Sequence, residues 1–597
     1  MPRLHWAAAL ALALPCVAHA QPVGDDDKLP TIQAHIYETT PRKPDAGFVS
    51  RLRVAPGYRV NVFAEGLKNS RFISVAANGD VYVNRNSQAD VIRLRDRNGD
   101  GVADGPPEVV ARRAGLLGVL AHENKLYLAT ATELWAADIG ADGRVAEPQR
   151  LIKDLPGAGQ HYTRHMEWGP DGWIYMGVGS TCNTCTESSP ENASILRIRP
   201  DGKARAVFAS GLRHTIGFDW HPRTGEIWGW DQGIDWLGED LQREEVNHIE
   251  WGRRYGWPYV MEDGRAYPQL EPEGGLSNAD WAKSSTPPVL LHTAHSAGMQ
   301  WAFHPGGGAM GGEVANDAFV SLRGSWNRKP ASGYEVVRVR FTPDGRAQRV
   351  EPFVSGFLSA DGTSNYGRLC GMAVAADGAL LFTDDTNGVI YRVTRTGASG
   401  PFTRAQPPAD SMKRQTTRGD NVPLALAREE TRTAGRLTVS SSAFAEGAAL
   451  PDLHSDYGGR ASPPLRWSAA PGARSYVVLT EDPDGSRHPV THWTAWNIPG
   501  SATELPSALP SRDRLDSPGL EGTMQGPSSR GSTGWYGPRP PVGDPSHHYH
   551  FEVLALDRPL ELPLGATRDD ILRAAAGHVI AKGETVAAFQ RTTPPES

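Results

Sequence analysis

The sequence predicts a mainly β protein, a six-bladed β-propeller followed by a smaller β-rich domain. Two observations indicate the propeller. Short apolar strands joined by Gly-centred turns recur about every 45 to 55 residues, with longer intervals where loops are inserted. Almost no helical periodicity of 3.6 residues appears across the same region. A blade of about four strands has this period, and a β-sandwich would show denser strands and fewer long loops.

Each repeat contains a hairpin turn followed by a strand that carries an aromatic residue. Asn-Gly and Asp-Gly between apolar runs are strong hairpin signals, because both turn residues adopt positive φ. A sixth, degenerate copy lies at 311–319. The five clear copies are 77–82, 123–127, 170–175, 222–228 and 376–382.

Composition changes mark the predicted domain boundaries. We expect a signal peptide at 1–20, an N-terminal extension at 21–47, the propeller at 48–395, a linker at 396–434 and the second domain at 435–597. The linker is rich in Pro, Arg, Thr and Gly. In the second domain we predict strands at 475–480 and 550–556 and an amphipathic helix at 568–581, with Asp569 and Asp570 in its first turn.

Overall composition excludes two classes of partner. The chain has 597 residues, of which 39% are hydrophobic and 22% charged, and its formal charge is -7. This charge offers no basic surface for nucleic acid. After the N-terminus no apolar run approaches the roughly 20 residues that a membrane helix needs.

The N-terminus has the pattern of a secretory signal. Arg3 precedes an Ala/Leu run at 7–14, and Ala18-His19-Ala20 is a small-x-small cleavage site. Cys16 raises the alternative of a lipoprotein anchor, but Pro15 stands where that signal has a small residue. We therefore predict a periplasmic or secreted protein.

Three cysteines remain in the mature chain. Cys182 and Cys185 lie in S-T-C-N-T-C, and Cys370 is alone. In an oxidising compartment the first two are candidates for a tight disulfide that pins a loop. The alternative is a redox-active pair, although nothing around it resembles the strand-to-helix setting of a thioredoxin motif. Three cysteines exclude a four-cysteine zinc site.

The region 208–258 concentrates cationic, metal-ligating and aromatic groups. It reads F-A-S-G-L-R-H-T-I-G-F-D-W-H-P-R-T-G-E-I-W, then an acidic loop, then E-V-N-H-I-E-W-G-R-R-Y-G-W-P. This combination resembles the soluble quinoprotein sugar dehydrogenases, and most closely their sorbosone dehydrogenase branch. The resemblance implies pyrroloquinoline quinone (PQQ) and Ca²⁺ as cofactors and a sugar as substrate.

The same resemblance assigns site residues. His161 precedes the Gly-Pro-Asp-Gly hairpin at 169–172, where the family has its catalytic base. Arg213, Arg323 and Arg368 match cations that hold the carboxylates of the quinone, a task that suits bidentate Arg. A single His is usually a loop histidine and a single Arg usually a surface charge, but here they occur together in family order.

The chain departs from the family pattern near these positions. His214 stands in the cofactor site where an Asn is expected after the Arg. The Arg expected four residues after the catalytic His is replaced by His165, with Arg164 one position earlier. These departures put the affinity for the quinone in question.

Two loops are candidates for calcium. In the first, Asp96, Asn98, Asp100 and Asp104 place oxygen ligands at alternate positions around glycines; the alternative is a polar hairpin that uses Asx-turn chemistry only. The second loop carries the candidate ligands Asp240 and Glu245, and its E-V-N-H-I run at 245–249 resembles the structural calcium site of the family. Its alternative is a set of acids that face water.

The second domain carries four motifs in one order: T-E-D-P-D-G, T-H-W, W-Y-G-P-R-P-P and H-H-Y-H-F. They resemble the phosphatidylethanolamine-binding proteins, in the bacterial Raf-kinase-inhibitor-like branch. The resemblance implies a small pocket for phosphate or a phospholipid head group, lined by Asp482, His492, His547 and Tyr549. The alternative is that the His and Tyr side chains only pack between sheets. His548 replaces the Arg of the usual His-Arg-Tyr.

Together these features predict an exported PQQ-dependent dehydrogenase of sugars or sugar aldehydes with a fused ligand-binding domain. No C-x-x-C-H motif is present, so we expect electrons to leave to an external acceptor. The alternative is a non-catalytic fusion that has lost the quinone and binds carbohydrate or anions. A metal-dependent lactone hydrolase would need carboxylate and Asn ligands around a central metal, whereas the central positions here are cationic.

Overall fold

The computed structural model describes residues 36–157, 159–267, 270–272, 277–283, 285–409, 411, 423–484, 490–540 and 546–591. The predicted signal peptide and Cys16 lie outside the described residues. Within the described part the protein is mainly β, as the sequence predicts. None of the helices in that part has the length and apolarity needed to cross a membrane.

The first described elements lead onto the propeller. They are strand β1 (Thr40–Pro41), helix α1 (Phe48–Arg51) and strands β2 (Arg53–Val54) and β3 (Tyr58–Ala64). Phe48 and Leu52 are buried in an apolar cluster with residues near the end of the propeller sequence, such as Phe357 and Tyr391. The N-terminal segment is therefore anchored to the last blades.

Three four-stranded antiparallel sheets form blades 1 to 3, and in each one every strand pairs with the next along the chain. Blade 1 contains β4 (Ser70–Val75), β5 (Val81–Arg85), β6 (Asp90–Leu94) and β7 (Glu108–Arg112). Blade 2 contains β8 (Gly118–His122), β9 (Lys125–Ala129), β10 (Leu134–Asp138) and β11 (Gln149–Ile152). Blade 3 contains β12 (Met166–Trp168), β13 (Ile174–Val178), β14 (Ser194–Ile198) and β15 (Arg205–Ser210).

Blades 4 to 6 follow the same plan, with insertions. Blade 4 contains β16 (Thr215–Trp220), β17 (Ile227–Asp231) and β18 (Glu244–Ile249), then an insertion of β19 (Val260–Met261), β20 (Arg265–Ala266) and helix α2 (Asn278–Lys283), and finally β21 (Leu290–His292). Blade 5 contains β22 (Gly298–His304), β23 (Asp317–Leu322), β24 (Glu335–Phe341) and β25 (Ala347–Ser355), with β2 at its outer edge. After β26 (Ser364–Asn365), blade 6 contains β27 (Leu369–Val374), β28 (Leu380–Asp384) and β29 (Val389–Arg395).

The N-terminal strand β3 closes the ring by pairing with β29 as the outer strand of blade 6. The inner strands β4, β8, β12, β16, β22 and β27 are the first strands of the six blades and surround the axis. Gln300 of β22 ties three of them together, because its side-chain amide bonds the main chain of Ile73 in β4 and of Met372 in β27 at 2.9–3.2 Å. The prediction of a six-bladed propeller is confirmed.

The turns singled out in the sequence all occupy one structural position. Each of the six copies connects the inner strand of a blade to its second strand. Gly79, Gly172 and Gly378 have φ of 78–87° in these turns, a conformation that glycine adopts without strain. Apolar clusters then fill the space between blades; Leu120 of blade 2, for example, packs with Met166 of blade 3.

The C-terminal domain is built on two antiparallel sheets. One has the order β35-β36-β33-β32-β37-β38 and the other the order β30-β31-β34. Trp467, Trp493 and Phe551 are buried in a shared core. The predicted strands at 475–480 and 550–556 are confirmed within β32 and β37. The elements are β30 (Val439–Ser440), β31 (Leu465–Trp467), β32 (Ser475–Asp482), β33 (Val490–Pro499), β34 (Glu504–Leu505), β35 (Arg514–Leu515), β36 (Thr523–Gln525), β37 (His547–Leu556), helix α3 (Arg568–Ala575) and β38 (Val579–Phe589).

The predicted helix at 568–581 is too long and needs correction. Thr567 and Asp570 form a capping box that starts α3, but the helix ends at Ala575. Gly577 has a φ of 78°, which turns the chain away from the helical path. Val579 and the following residues then join β38 and pair with β37, as their β-branched side chains favour.

Both described ends of the predicted linker pack against a domain. Arg404 donates to the carbonyls of Val75 and Val374 of the propeller, each at 2.9 Å. Ala425 is buried in the C-terminal domain, and its N–H donates to Glu481. The domain boundaries stay a prediction. Single-turn 3₁₀ helices in the described connections are Asn86–Gln88, Gly308–Met310, Gly312–Val314, Ala425–Ala427, Glu429–Thr431 and Asp452–His454.

Candidate functional site

The predicted catalytic and cofactor residues meet at one end of the propeller axis. Arg213 and His214 directly precede the inner strand β16, and Arg368 directly precedes the inner strand β27. His161 lies five residues before β12. Arg323 directly follows β23, which runs antiparallel to its inner neighbour β22 and so ends where the inner strands begin. Five residues spread over more than 200 positions of sequence thus reach one face of the ring.

His161 is buried and its ring is oriented by a serine. The Nδ1 atom of His161 lies 2.7 Å from Oγ of Ser180, and this hydroxyl donates to the carbonyl of Cys182 at 2.7 Å. Because the single hydroxyl proton is used on Cys182, Ser180 must accept from His161. Nδ1 therefore carries the proton of the neutral ring, and the lone pair of Nε2 is available as a base.

His214 lies against the catalytic candidate. The rings of His161 and His214 are stacked with centroids 4.4 Å apart. Nδ1 of His214 lies 3.2 Å from the side-chain oxygen of Gln232, and its buried Nε2 has no hydrogen-bond partner in the described part of the chain. Burial, and then the charge of Arg213, lowers the pKa of His214 to about 3. Burial also holds the pKa of His161 well below its ordinary value, assisted by His214 and Arg213, so both rings are neutral.

Arg213 is fully enclosed by protein groups. Its guanidinium donates to the main-chain and side-chain oxygens of Asn183 at 2.9 and 2.5 Å, to the carbonyl of Gln232 at 3.2 Å and to Asp235 at 3.1 Å. Burial lowers the pKa of Arg213. Asn183 lies between the two cysteines of the predicted disulfide, which the structure confirms between Cys182 and Cys185.

The other predicted arginines belong to a cluster with excess positive charge. Arg323 and Arg71 both bind the buried carboxylate of Asp385, at 2.5 and 3.0 Å. Arg368 donates to the carbonyls of Gly324 at 2.7 Å and Arg323 at 3.4 Å. Asp384 is a second buried carboxylate in this cluster, and it accepts from the main-chain N–H of Arg368 at 3.1 Å. Three guanidinium groups thus lie near two carboxylates. Such an arrangement is suited to a ligand with several carboxylates.

Sequence reasoning missed Arg71, Asp385 and Ser180. Arg71 lies at the beginning of β4, an inner strand, and so occupies the place in blade 1 that Arg213 and Arg368 have beside theirs. That recurring position was a usable signal. Ser180 had no such signal, because serines often follow strands. Its role depends on the His161 ring, which only the folded structure brings next to it.

The departure at Arg164 and His165 is explained by burial. Arg164 points away from solvent and donates to the carbonyls of Thr163 and Pro156 at 2.9 and 2.8 Å. Its burial lowers its pKa to about 10. His165 is buried with its Nε2 3.2 Å from Glu167. In this structure Arg164 therefore supports the His161 loop.

The first candidate calcium loop satisfies its oxygens with its own backbone. Asp96 accepts from the N–H groups of Gly99 and Gly101 at 2.8 and 2.9 Å, and Asp104 accepts from that of Arg97 at 2.6 Å. Asn98 and Asp100 accept in the same way from Asp100 and Val102. This is Asx-turn geometry. Calcium at these residues stays a prediction.

The second candidate loop places its two predicted ligands in different surroundings. Asp240 is 83% exposed and pairs with Arg328 at 2.9 Å. Glu245 is buried and accepts from the N–H of Glu262 at 2.8 Å and from the Asn247 amide at 3.3 Å. Burial and nearby Asp231 raise the pKa of Glu245 to about 8. The buried oxygen of Asn247 has no hydrogen-bond partner among the described residues, so a cation beside Glu245 fits this cluster.

One group of metal-ligating side chains is compact. Among the described residues, Cys182, Cys185 and Glu187 are the set of three whose ligand atoms lie within 4.8 Å of one another. The two sulfurs are joined in the disulfide and are not thiolates. In this form the group stabilises the loop. Glu187 contributes by accepting hydrogen bonds from the N–H and the hydroxyl of Thr181, at 2.6 and 2.8 Å.

In the C-terminal domain the four predicted pocket residues converge on Asp482. Nδ1 of His547 lies 2.8 Å from the Asp482 carboxylate, and Nε2 of His492 lies 3.9 Å from the same oxygen. Nδ1 of His492 bonds the Tyr536 carbonyl at 2.6 Å, and the ring of Tyr549 meets that of His492 edge-on at 5.0 Å. The buried Nε2 of His492 has no hydrogen-bond partner in the described residues. The role of these groups in anion binding stays a prediction.

Comparison with known families confirms both resemblances. The family described as TrAA12-like matches residues 52–250 and 261–396. The family described as phosphatidylethanolamine-binding protein matches residues 440–590. The two matches cover the propeller and the C-terminal domain.

Individual relatives divide along the same line. A UPF0098 protein of Pyrococcus horikoshii is 39% identical over 152 residues, which are 25% of this chain and 75% of that protein. An uncharacterized protein of Borreliella burgdorferi is 26% identical over 360 residues, which are 58% of this chain and 91% of that protein. The calcium structure of a Trichoderma reesei carbohydrate-active enzyme of family AA12 has a TM-score of 0.51 at 18% identity, and covers 58% of this chain and 97% of its own. The last likeness shows a shared fold.

Proposed function

Because the chain belongs to the TrAA12-like family over residues 52–250 and 261–396 and carries a phosphatidylethanolamine-binding protein domain at 440–590, we propose that it is an exported, quinone-dependent oxidoreductase of sugars with a fused anion-binding domain. The finer assignment is a PQQ-dependent dehydrogenase of a sugar hydroxyl or a sugar aldehyde. His161 is the base, and Arg213, His214, Arg323 and Arg368 form the cofactor site.

The observation that supports this proposal is the meeting of a neutral, oriented imidazole with an arginine cluster at one end of the ring. His161 keeps the lone pair of Nε2 available, because Nδ1 carries the ring proton and donates it in a hydrogen bond to Ser180. Arg71, Arg323 and Arg368 lie at the same end, where Asp384 and Asp385 are the two nearby carboxylates. A base beside a field of fixed cations is the arrangement that oxidation of a hydroxyl by an anionic cofactor needs.

The residues at this end fit PQQ, which carries three carboxylates. Arg323 and Arg71 would bind carboxylates of the quinone in place of some of their hydrogen bonds to Asp385. Arg368 would bind a carboxylate in place of its hydrogen bonds to main-chain carbonyls. The orphaned Nε2 of His214 supplies a further polar contact. When bound, the quinone supplies the electrophilic centre that accepts hydride equivalents from the substrate.

The contribution of the chain is to move and hold a proton. Nε2 of His161 takes the proton of the substrate hydroxyl, and the charge that develops on the ring is shared with Ser180 through Nδ1–H. The low pKa of His161 keeps the ring neutral, with Nε2 unprotonated, before the substrate arrives. Arg213, fixed by Asn183 and Asp235, keeps positive charge near the ring and favours return of the proton afterwards.

Ca²⁺ is proposed beside Glu245, where buried carboxylates adjoin the unpaired oxygen of Asn247. There it would stabilise the blade 4 loops that carry Asp231 and Gln232, both of which contact the cofactor end. The Asp96 loop is retained as a second calcium candidate. The cation would offset the mutual repulsion of Asp231 and Glu245.

An extracellular or periplasmic location is part of the proposal. The disulfide between Cys182 and Cys185 supports an oxidising compartment, and the N-terminal 20 residues have the pattern of a secretory signal. Electrons would pass to a separate acceptor. In the C-terminal domain, Asp482, His492, His547 and Tyr549 would bind phosphate or a phospholipid head group.

A non-catalytic binding protein is the second candidate, and Arg213 favours it. Four of the five N–H donors of this buried guanidinium bond Asn183, Gln232 and Asp235, so one donor is left for a cofactor. Titration of the purified protein with PQQ and CaCl₂, followed by quinone absorbance, separates the candidates. Saturable binding that weakens in Arg368→Gln but not in the surface control Arg466→Gln supports the enzyme. If the wild type does not bind PQQ, the non-catalytic binding protein is the supported candidate.

A further inference from the structure

A cleft of about 660 Å³ lies between the propeller and the C-terminal domain. Glu191 and Arg205 of blade 3 line one side, and Arg460, Arg530 and Arg539 line the other. Outside the cleft, Arg254 of the propeller donates to the carbonyl of Ser529 at 2.9 Å and links the two domains. The volume is in the range of pockets that hold small organic ligands.

The C-terminal wall gathers three arginines around one acid. Arg460, Arg539 and Arg530 lie 3.0, 3.0 and 3.3 Å from the carboxylate of Asp456, whose side chain is 8% exposed. A single carboxylate neutralises a single guanidinium. Two positive charges are therefore left on this wall. The planar N–H groups of arginine that do not face Asp456 are suited to a second carboxylate or to a phosphate.

The propeller wall is close to neutral. Glu191 accepts two hydrogen bonds from Arg205, at 2.8 and 3.1 Å, in a bidentate pair. Arg205 also binds Asp154 at 2.6 Å. The lining as a whole has four arginines and two acids, so its formal charge is +2 in a protein whose net charge is -7. The excess is concentrated on the C-terminal side.

The remaining lining suits a saccharide. Tyr536 and Trp535 line the cleft, but Trp535 is 7% exposed, and the Tyr536 ring is stacked with His492 at 5.0 Å and lies under Arg530 at 5.1 Å. The planar guanidinium of Arg530 is therefore the group that can stack on a ligand. Aromatic rings and guanidinium planes pack against the apolar faces of sugar rings while the hydroxyls meet polar groups. The serines at 189, 511 and 532 supply such groups.

We propose that this cleft is a composite binding site for an anionic saccharide, a sugar that carries a carboxylate or a phosphate. The arginines of the C-terminal domain hold the oxyanion, and blade 3 closes the site from the other side. The proposal accounts for the fusion, because neither domain alone forms both walls. It does not depend on the quinone or on catalysis.

The cleft is separate from the predicted anion pocket around Asp482. Tyr536 stands between them: its carbonyl bonds His492 at 2.6 Å and its ring stacks on the His492 ring at 5.0 Å, while it also lines the cleft. Among the described residues, neither Asp482 nor His547 belongs to the cleft lining. Variants of Asp482 or His547 therefore change the pocket without removing a lining residue of the cleft.

Isothermal titration of the full chain with four probes tests the proposal: glucuronate, glucose 6-phosphate, glucose and inorganic phosphate. We expect one of the two anionic sugars to bind, with the better one identifying the oxyanion, and at least about tenfold more tightly than glucose. Arg530→Gln with Arg539→Gln should weaken that binding at least about tenfold. Arg466→Gln, in an exposed pair with Glu504 outside the cleft, is the matched control and should change nothing.

A variant that is expected to tighten binding controls for loss of binding through misfolding. Glu191→Gln removes a carboxylate from the propeller wall and releases donors of Arg205, so it should tighten binding of the anionic sugar several-fold. A double Arg variant that is folded and binds as well as the wild type would overturn the proposal. So would binding that is lost in His492→Ala but unchanged in the Arg and Glu191 variants, because the ligand would then sit in the Asp482 pocket.

Discussion

Nδ1 of His161 lies 2.7 Å from Oγ of Ser180, whose own proton is donated to the Cys182 carbonyl. This relay fixes the tautomer of a buried histidine and turns Nε2 into the basic atom. It also connects the proposed base to the disulfide loop, because Cys182 is one of the two cysteines of the disulfide. The proposed activity thus depends on a short chain of groups that can be tested one at a time.

Ser180→Ala removes the acceptor for Nδ1–H and leaves the His161 ring free to change tautomer. We expect kcat to fall about tenfold or more, with a smaller effect on KM, because orientation of a general base acts in the transition state. Ser180→Thr keeps the hydroxyl and should restore most of the rate. Steady-state kinetics of the two variants test whether Ser180 orients His161. Equal kcat values for the alanine variant and the wild type would remove Ser180 from the mechanism.

Opening the disulfide should weaken quinone binding. Asn183 lies between Cys182 and Cys185 and holds Arg213 through two oxygens, at 2.9 and 2.5 Å. The variant Cys182→Ser with Cys185→Ser frees this loop, and we expect the Kd for the quinone to rise about 3- to 10-fold. Asn183→Ala should produce a similar rise. An unchanged Kd in both variants would show that the loop does not position the cofactor site.

His304 should make the propeller sensitive to acid. Its Nδ1 accepts from the N–H of Gly306 and its Nε2 donates to the carbonyl of Gly378, both at 2.9 Å, so the neutral ring is required. Burial lowers its pKa to about 4. Between pH 6.5 and 4 the unfolded chain binds this proton and the folded chain does not. As the pH decreases through this range, the free energy of unfolding therefore decreases, by up to about 1.4 kcal/mol per pH unit for this group.

The comparison is between His304→Gln and the wild type in urea unfolding at pH 7 and pH 5. The variant should be less stable than the wild type at pH 7 but should lose less stability on acidification. His548→Gln, on the surface, serves as the control. Parallel pH profiles for the wild type and the His304 variant would contradict this account.

Much of the fold could be predicted because its signals are local. The turn at Asn78-Gly79 and its five counterparts identified the six inner hairpins. Arg213 and Arg368 were predicted from the family resemblance, and the structure places them at one end of the axis. The contact between Arg71 and Asp385 could not be predicted in this way. These residues are 314 positions apart and meet only when the ring closes.

The C-terminal end of the chain shows the limit of periodicity. An amphipathic pattern continues past Ala575, but the positive φ of Gly577 and the pairing of β38 with β37 decide the structure there. The cleft beside Asp456 is a tertiary feature as well. Its arginines at 460, 530 and 539 are ordinary surface residues in the sequence, and only the packing of two domains brings Glu191 opposite them.

The pocket around Asp482 should bind phosphate independently of the propeller. His492 and His547 face one carboxylate, and the unpaired Nε2 of His492 is the available group. We expect His492→Ala with His547→Ala to weaken binding of O-phosphoethanolamine at least about tenfold in calorimetry. Sugar turnover by the propeller should not change. His578→Ala, a surface histidine paired with Asp557, is the matched control. Retention of O-phosphoethanolamine binding in the double variant would refute the assignment.

The most direct test of the central claim is reduction of the bound quinone by substrate. Purified protein is loaded with PQQ and CaCl₂, aldoses are added, and the quinone absorbance is followed beside the His161→Ala variant. The account predicts that the wild type reduces the quinone, and that the variant binds it with similar affinity but reduces it at least about 100-fold more slowly. Equal rates of reduction in the two proteins would contradict the assignment of His161 as the base.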